Sequence, residues 1–507
     1  MHLELSGEGL SVSDAWELMH SPTRKVTIAS KSREKMKASR ARVESVLDGD
    51  EAIYGINTGF GSLANVQVKR EDLETLQENL IRSHCVGVGD LLTDSIVRGA
   101  MLLRANTLCQ GYSGIRLETV DLLLDCLNHD ILPLVPNTGS LGASGDLAPL
   151  AHMALTLLGE GEVRFKGQLM TAAEALRECR LKPVRLGAKE GLALINGTPV
   201  MCALAVEVLK RCENLLKVSD IASMMSLEAL HGTNRAFIDR LHQLRPHRGQ
   251  KLSARNLFRL LENSPNRASH KDCSRVQDAY SLRCIPQVHG SCYDAFFRTL
   301  ETIEIEMNSV TDNPIVLEDE IISGGHFHGE PVSMVLCYLA MGLVELGSIS
   351  ERRQNRLVNH NLSNLPPFLV RDSGLNSGWM IAHYTSAACV SESKVLAHPA
   401  VVDSIPTSAD QEDHVSMGLS SAKNCLQILE KLESVLSIEL LIATQGLDFH
   451  EQPPGPALKR VMEVVREKVD FLESDRYLKN DIEAARTLIR EGKIVEVVEE
   501  EIGDLLK

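Results

Sequence analysis

Hydrophobic residues recur at three- and four-residue spacing through long stretches that carry neither glycine nor proline. The stretches are 200–231, 291–313, 419–445 and 457–491. In the first, Leu204, Val208, Leu209, Cys212, Leu215 and Leu216 form one apolar stripe, while Glu207, Lys210, Arg211 and Glu213 lie off it. That period predicts amphipathic α-helices, each longer than the mean helix of about 11–12 residues, and helices of this length suit an antiparallel bundle. Residues 1–199 read differently, as short helical patterns broken by glycine-bearing loops, with small strands expected near 161–168 and 183–186. The pattern therefore predicts a mainly α protein in two parts, an N-terminal domain over 1–199 and a long-helix bundle with C-terminal helices over 200–507. The run Glu451-Gln452-Pro453-Pro454-Gly455-Pro456 breaks the chain before the last helices.

Composition narrows the function. A chain of 507 residues can bury a sizeable core, and its 4% aromatic content tilts the balance from sheet toward helix. With 53 Lys and Arg against 68 Asp and Glu, the net charge of −15 argues against a nucleic-acid partner. No stretch of about 18 uncharged apolar residues predicts a membrane span, and the first residues lack a basic and apolar leader pattern. Twelve scattered cysteines without a Cys-x-x-Cys pair read as buried free thiols, so a cytoplasmic location is expected.

The densest loop is Gly139-Ser140-Leu141-Gly142-Ala143-Ser144-Gly145-Asp146-Leu147-Ala148-Pro149-Leu150. It lacks the strand and lysine of a phosphate loop and the Gly-x-Ser-x-Gly spacing of a nucleophile elbow. On local grounds it is a tight turn capping a helix at Asp146.

The whole stretch, however, resembles the signature of the aromatic amino-acid ammonia-lyases. Further matches follow in order at Tyr54 to Gly61, Ser83-His84, Asn196-Gly197-Thr198, Gln277 to Arg283, Thr311-Asp312-Asn313-Pro314, Gly324 to Pro331 and Gln411-Glu412-Asp413-His414. The resemblance implies the ammonia-lyase/fumarase-like fold and an internal prosthetic group, 4-methylidene-imidazol-5-one, made when Ala143, Ser144 and Gly145 cyclise with loss of two waters. No external cofactor is then expected. Gly145 lets its amide nitrogen approach the Ala143 carbonyl, and Ser144 supplies the hydroxyl that leaves.

By the same resemblance Tyr54 and Tyr280 are the catalytic tyrosines, with Tyr54 the favoured base for the β-proton. Tyrosine ionises near about pH 10, so that role requires help from a positive charge or a helix N-terminus. Arg283 is the carboxylate anchor, a role suited to a planar fork of donors. Asn196 and Gln277 position substrate and electrophile, and Phe327 packs on the ring. Ser83-His84 and Glu412 resemble the members that act on histidine, and a phenyl ring would leave a buried Glu412 charge unpaired. The implied reaction is non-oxidative deamination of L-histidine to trans-urocanate and ammonia. A tyrosine or phenylalanine lyase, a 2,3-aminomutase and a non-enzymatic scaffold remain alternatives. The family also implies a homotetramer whose active sites draw loops from more than one subunit.

His326-Phe327-His328 with Glu330 offers metal-ligand residue types, but the spacing fits no common zinc site and no metal is expected. His326, Asp410, Trp379 and His383 depart from the family pattern. Asp410 adds a negative charge two residues before Glu412.

Overall fold

The computed structural model describes residues 2–21, 23–47, 49, 52–271 and 276–506. Helices dominate, and the four small sheets among the described residues hold two or three strands each. The helices that bear on function are α1 (Leu73–His84), α2 (Leu147–Leu155), α3 (Pro199–Ala229), α4 (Tyr280–Arg283), α5 (Ile285–Met307), α6 (Glu330–Val358), α7 (Met380–Leu396), α8 (Gly418–Leu447), α9 (Pro456–Arg466) and α10 (Lys479–Arg490).

The chain forms two compact units. The first comprises Met1–Glu207, Thr299–Cys337 and Pro399–Lys423; the second comprises Val208–Arg298, Tyr338–His398 and Asn424–Lys507. In the first unit the Asp146 carboxylate accepts from the amides of Val200 (2.8 Å) and Met201 (2.9 Å). Two otherwise orphaned donors at the start of α3 are thereby satisfied. Asp146 stands at the N-cap position of α2, yet its side chain caps α3. The second unit is knit by buried polar groups. Glu439 of α8 receives Arg353 of α6 (2.5 and 2.9 Å), Ser350 of α6 (2.6 Å) and Ser226 of α3 (2.7 Å). Each partner matters there, because a buried charge is tolerated only when paired and hydrogen-bonded.

Expected helices over 200–231 and 419–445 correspond to α3 and α8. The helix expected over 291–313 begins and ends about six residues earlier, as α5. Pro286 fits its first turn, where no amide partner is lost. Gly290 lies within the helix, where a Cβ would come 2.4 Å from the Gln250 backbone. The stretch 457–491 is two helices, α9 and α10. Strands occur at Glu162–Phe165 and Gln168–Thr171, whereas 183–186 is irregular. Helix α6 was not expected, because Pro331, Gly342 and Gly347 interrupt its pattern. It is long and apolar enough to cross a membrane, and 61% of its apolar stretch is buried inside the protein. The eleven described cysteines are free, and Cys273 lies outside the described residues.

Candidate active site

The tripeptide Ala143-Ser144-Gly145 occupies the turn just before α2. Ser144 takes a left-handed backbone (φ 52°) between Gly142 (φ 79°) and Gly145 (φ 80°). A strand-like pairing sets the turn against Asn196-Gly197: Gly197 N donates to Ser144 O (3.1 Å) and Asp146 N donates to Gly197 O (2.7 Å). A Cβ on Gly145 would stand 1.9 Å from Gly197 O, so only glycine fits. The starts of α2 and α3 therefore meet at this turn, and two helix N-termini favour negative charge developing there. A bare glycine amide and a serine in a strained turn fit a tripeptide that closes on itself. Behind it, burial pushes the Asp146 carboxyl up to about 7, with Glu306 adding to the rise.

Three further loops of the first unit are linked to this turn, directly or through one another. The Leu141 carbonyl accepts from Met417 N (2.8 Å), which ties the tripeptide loop to the segment after Glu412. His328 stacks on His414 (ring centres 5.9 Å apart), bringing the Phe327 loop alongside the same segment. Thr407 and Glu412 close a turn through mutual backbone bonds, and Thr407 Oγ1 donates to Glu412 Oε2 (3.2 Å). Between them Ser408, Ala409 and Asp410 are all left-handed. Ser408 Oγ accepts from Ser62 N (3.3 Å), linking the Glu412 turn to the loop after Tyr54. Glu412 and Asp413 thus lie on a turn and not on the first turn of a helix.

The Glu412 carboxylate acts on both neighbours that the sequence singled out. Burial, and then Glu412, push the Tyr54 phenol above its ordinary value; the opposing bond from Gly61 N is long at 3.5 Å. The cation or helix terminus expected to lower Tyr54 is thus absent from its influences among the described residues of this unit. His84 closes α1, with Nδ1 donating to the Leu80 carbonyl (2.8 Å). Burial lowers its pKa, against the pull of Glu412. A neutral ring that donates through Nδ1 leaves Nε2 as an acceptor.

Gln277, Tyr280 and Arg283 belong to the second unit. There the Arg283 guanidinium sits over the Tyr280 ring at 4.6 Å. Tyr280 is 71% exposed, and the buried Arg283 Nε has no partner. An Arg held by a ring face keeps its donors free for a carboxylate. Among the described residues, no three His, Cys, Asp or Glu side chains are grouped to hold a metal. Sequence reasoning missed Ser408, which holds Ser62 N, Lys189, which pairs with Asp312, and Arg104, which donates to the Asn196 carbonyl. Their only local signal was proximity to motifs, since their partners are distant in the chain.

The family model for aromatic amino acid lyases matches residues 10–467. The chain belongs to the aromatic amino acid lyases. This lyase is 51% identical to a histidine ammonia-lyase of Gloeobacter violaceus, over 99% of this chain and 98% of that protein. Its structure superposes on the histidine ammonia-lyase of Trypanosoma cruzi with a TM-score of 0.92 and 41% identity, covering 100% and 96% of the two chains. A tyrosine aminomutase from Streptomyces globisporus gives 0.93 at 35% identity, with both chains covered in full. This chain is itself a carbon–nitrogen lyase with the mainly α fold of these relatives. An aminomutase with nearly the same TM-score means that fold alone does not choose the substrate, so the choice rests on side chains.

Proposed function

We propose that this lyase converts L-histidine to trans-urocanate and ammonia, using a methylidene-imidazolone formed from Ala143, Ser144 and Gly145. The observation that carries the reading is Glu412, poised to act on both Tyr54 and His84. Glu412 and the Nε2 of His84 are both hydrogen-bond acceptors, a pair that matches an imidazole N–H and offers nothing to a phenyl ring edge. The histidine ammonia-lyases among its relatives support the same substrate.

The tripeptide fits the group, because Gly145 has no room for a side chain and Ser144 is held in the turn. Once formed, the group supplies an electrophilic carbon that makes the substrate's amine a better leaving group. Tyr54 takes the β-proton, His84 and Glu412 hold the imidazole, and Asn196, Gln277 and Phe327 position substrate and ring. Arg283, stacked on Tyr280, anchors the carboxylate. Loss of the β-proton and of ammonia leaves the side-chain double bond of urocanate. Residues 1–199 carry the electrophile loop in this reading, and 200–507 the helical bundle. The active unit is a homotetramer whose sites combine loops of different chains. The exposure of Tyr280 supports that arrangement, as does an apolar seam on α7.

Ultraviolet absorbance with L-histidine, L-tyrosine and L-phenylalanine in parallel tests the proposal. A rise with histidine alone, abolished by Ser144→Ala together with the two-water mass deficit, is expected. A rise with tyrosine or phenylalanine instead overturns the roles of His84 and Glu412, and no rise with any of the three overturns the elimination itself.

A further inference from the structure

Asn196 is almost fully buried, and every polar group of the residue but one has a fixed partner. Its backbone carbonyl accepts from Arg104 Nη1, which also donates to Thr311 O (3.3 Å). Its side-chain Nδ2 donates to Asp312 Oδ1 (3.3 Å) and to the Asn313 carbonyl (2.9 Å). Asp312 is held in turn by Lys189 Nζ on its other oxygen (2.9 Å), both side chains being fully buried. A carboxylate and a carbonyl can only accept, so the end of the carboxamide that faces them is the NH2 end. The remaining atom, Asn196 Oδ1, is buried and has no partner. An unpaired buried carbonyl oxygen is costly, so an occupied site must offer it a donor.

The chemistry of the substrate identifies that donor. An α-amino acid brings three polar groups: a carboxylate, which only accepts; a ring edge, assigned to His84 and Glu412; and the amine. We infer that Lys189 and Asp312 are positioning residues that lock the Asn196 carboxamide with its oxygen toward the substrate, where it accepts a hydrogen bond from the substrate's amino nitrogen. The inference rests on the proposed site but not on histidine as the substrate, because every amino-acid substrate carries the same amine. Lys189 acts at a distance: it fixes Asp312, which fixes the NH2 end of Asn196, which leaves the oxygen free. Neutralising the pair allows the carboxamide to turn over and present a donor to a donor.

The experiment compares wild type with Lys189→Gln/Asp312→Asn, which removes both charges and keeps the side-chain volumes close. Two ligands are used: L-histidine as substrate and 3-(imidazol-4-yl)propionate, its deaminated analogue, as competitive inhibitor. Intact mass first establishes that the two-water deficit is present in both proteins. The expected result is a fall of about tenfold or more in kcat/KM for histidine, as for loss of a hydrogen bond to a charged group, with the inhibition constant of the analogue unchanged within about twofold. A merely structural role weakens both ligands together, and that outcome overturns the inference, as does an unchanged kcat/KM. If the double variant does not fold or does not cyclise, Asp312→Asn alone is read by the same two ligands, since its lysine can shed a proton. If wild type turns over tyrosine or phenylalanine instead, the comparison is repeated with that substrate and its arylpropionate. The role of the pair then stands or falls separately from the histidine assignment.

Discussion

Glu412 shows how much one carboxylate decides. Its charge disfavours ionisation of Tyr54 and favours protonation of His84. For a base with a raised pKa, the active fraction grows about tenfold per pH unit until that pKa is reached. Removing the charge with Glu412→Gln lowers the Tyr54 value, so the alkaline rise of kcat/KM is expected to shift toward lower pH. The acid limb has the opposite origin: burial holds His84 neutral to below its ordinary value, so its protonation costs activity only at lower pH. The same variant is expected to lose about 10- to 100-fold in kcat/KM for histidine, the size of a hydrogen bond to a charged group, and not to lose activity on phenylalanine. Parallel losses on both substrates would show that Glu412 does not select the ring. The identities of Tyr54, His84 and Glu412 were legible in the sequence because each sits in a short motif. The upward push on Tyr54 was not, because it comes from burial in the folded chain and then from a carboxylate 358 residues further along it (412 − 54).

At the scale of elements, the apolar period located α3 and α8, whose sequences are uninterrupted, and missed α6, whose glycines read as breaks. A Cβ on Gly342 or Gly347 would meet only ordinary contacts of 3.5 Å or more, and the helix runs on through both positions. The converse error is the gap between α9 and α10, which contains no glycine or proline. Tertiary bonds replace helical ones there. Gln445 of α8 accepts from Leu472 N (3.0 Å) and donates to Leu472 O (3.2 Å) and Leu369 O (3.1 Å), and Asp475 accepts from Ser377 N (2.7 Å) and Gly378 N (2.8 Å). No local pattern announces a break whose partners lie far away in the chain. Gln445→Leu leaves several of these groups unpaired and is expected to cost about 2–4 kcal/mol, since each buried orphan costs roughly 1–3 kcal/mol. Urea unfolding measures it; a change below about 0.5 kcal/mol, as at an ordinary surface site, would mean that Gln445 does not hold the break.

The whole molecule carries the remaining argument. Along α7, Ile381, Tyr384, Ala388 and Val395 are exposed at spacings of three, four and seven residues, and Ile381, Tyr384 and Val395 are each 60% exposed or more. An apolar seam with this heptad spacing suits packing against another helix, and symmetric copies of one chain are the commonest source. Tyr280 is exposed as well, although the proposed chemistry requires it beside the substrate. The proposed site shared between chains would account for both features. The sequence proposes residues for that site but carries no record of which chain supplies each one. Complementation supplies it. Ser144→Ala and Arg283→Met are each expected to be inactive alone, the first for want of the electrophile and the second for want of the carboxylate anchor. When the two are co-unfolded and refolded in equal amounts, sites that take the tripeptide from one chain and the arginine from another recover about one quarter of the wild-type rate, the binomial expectation for two independently chosen chains. If both residues serve the same site from a single chain, no mixture recovers activity. Charging the α7 seam by Tyr384→Glu in both variants is expected to abolish the recovery and shift the mass in light scattering to smaller species. Recovery that survives with the mass unchanged would place the shared interface elsewhere on the molecule.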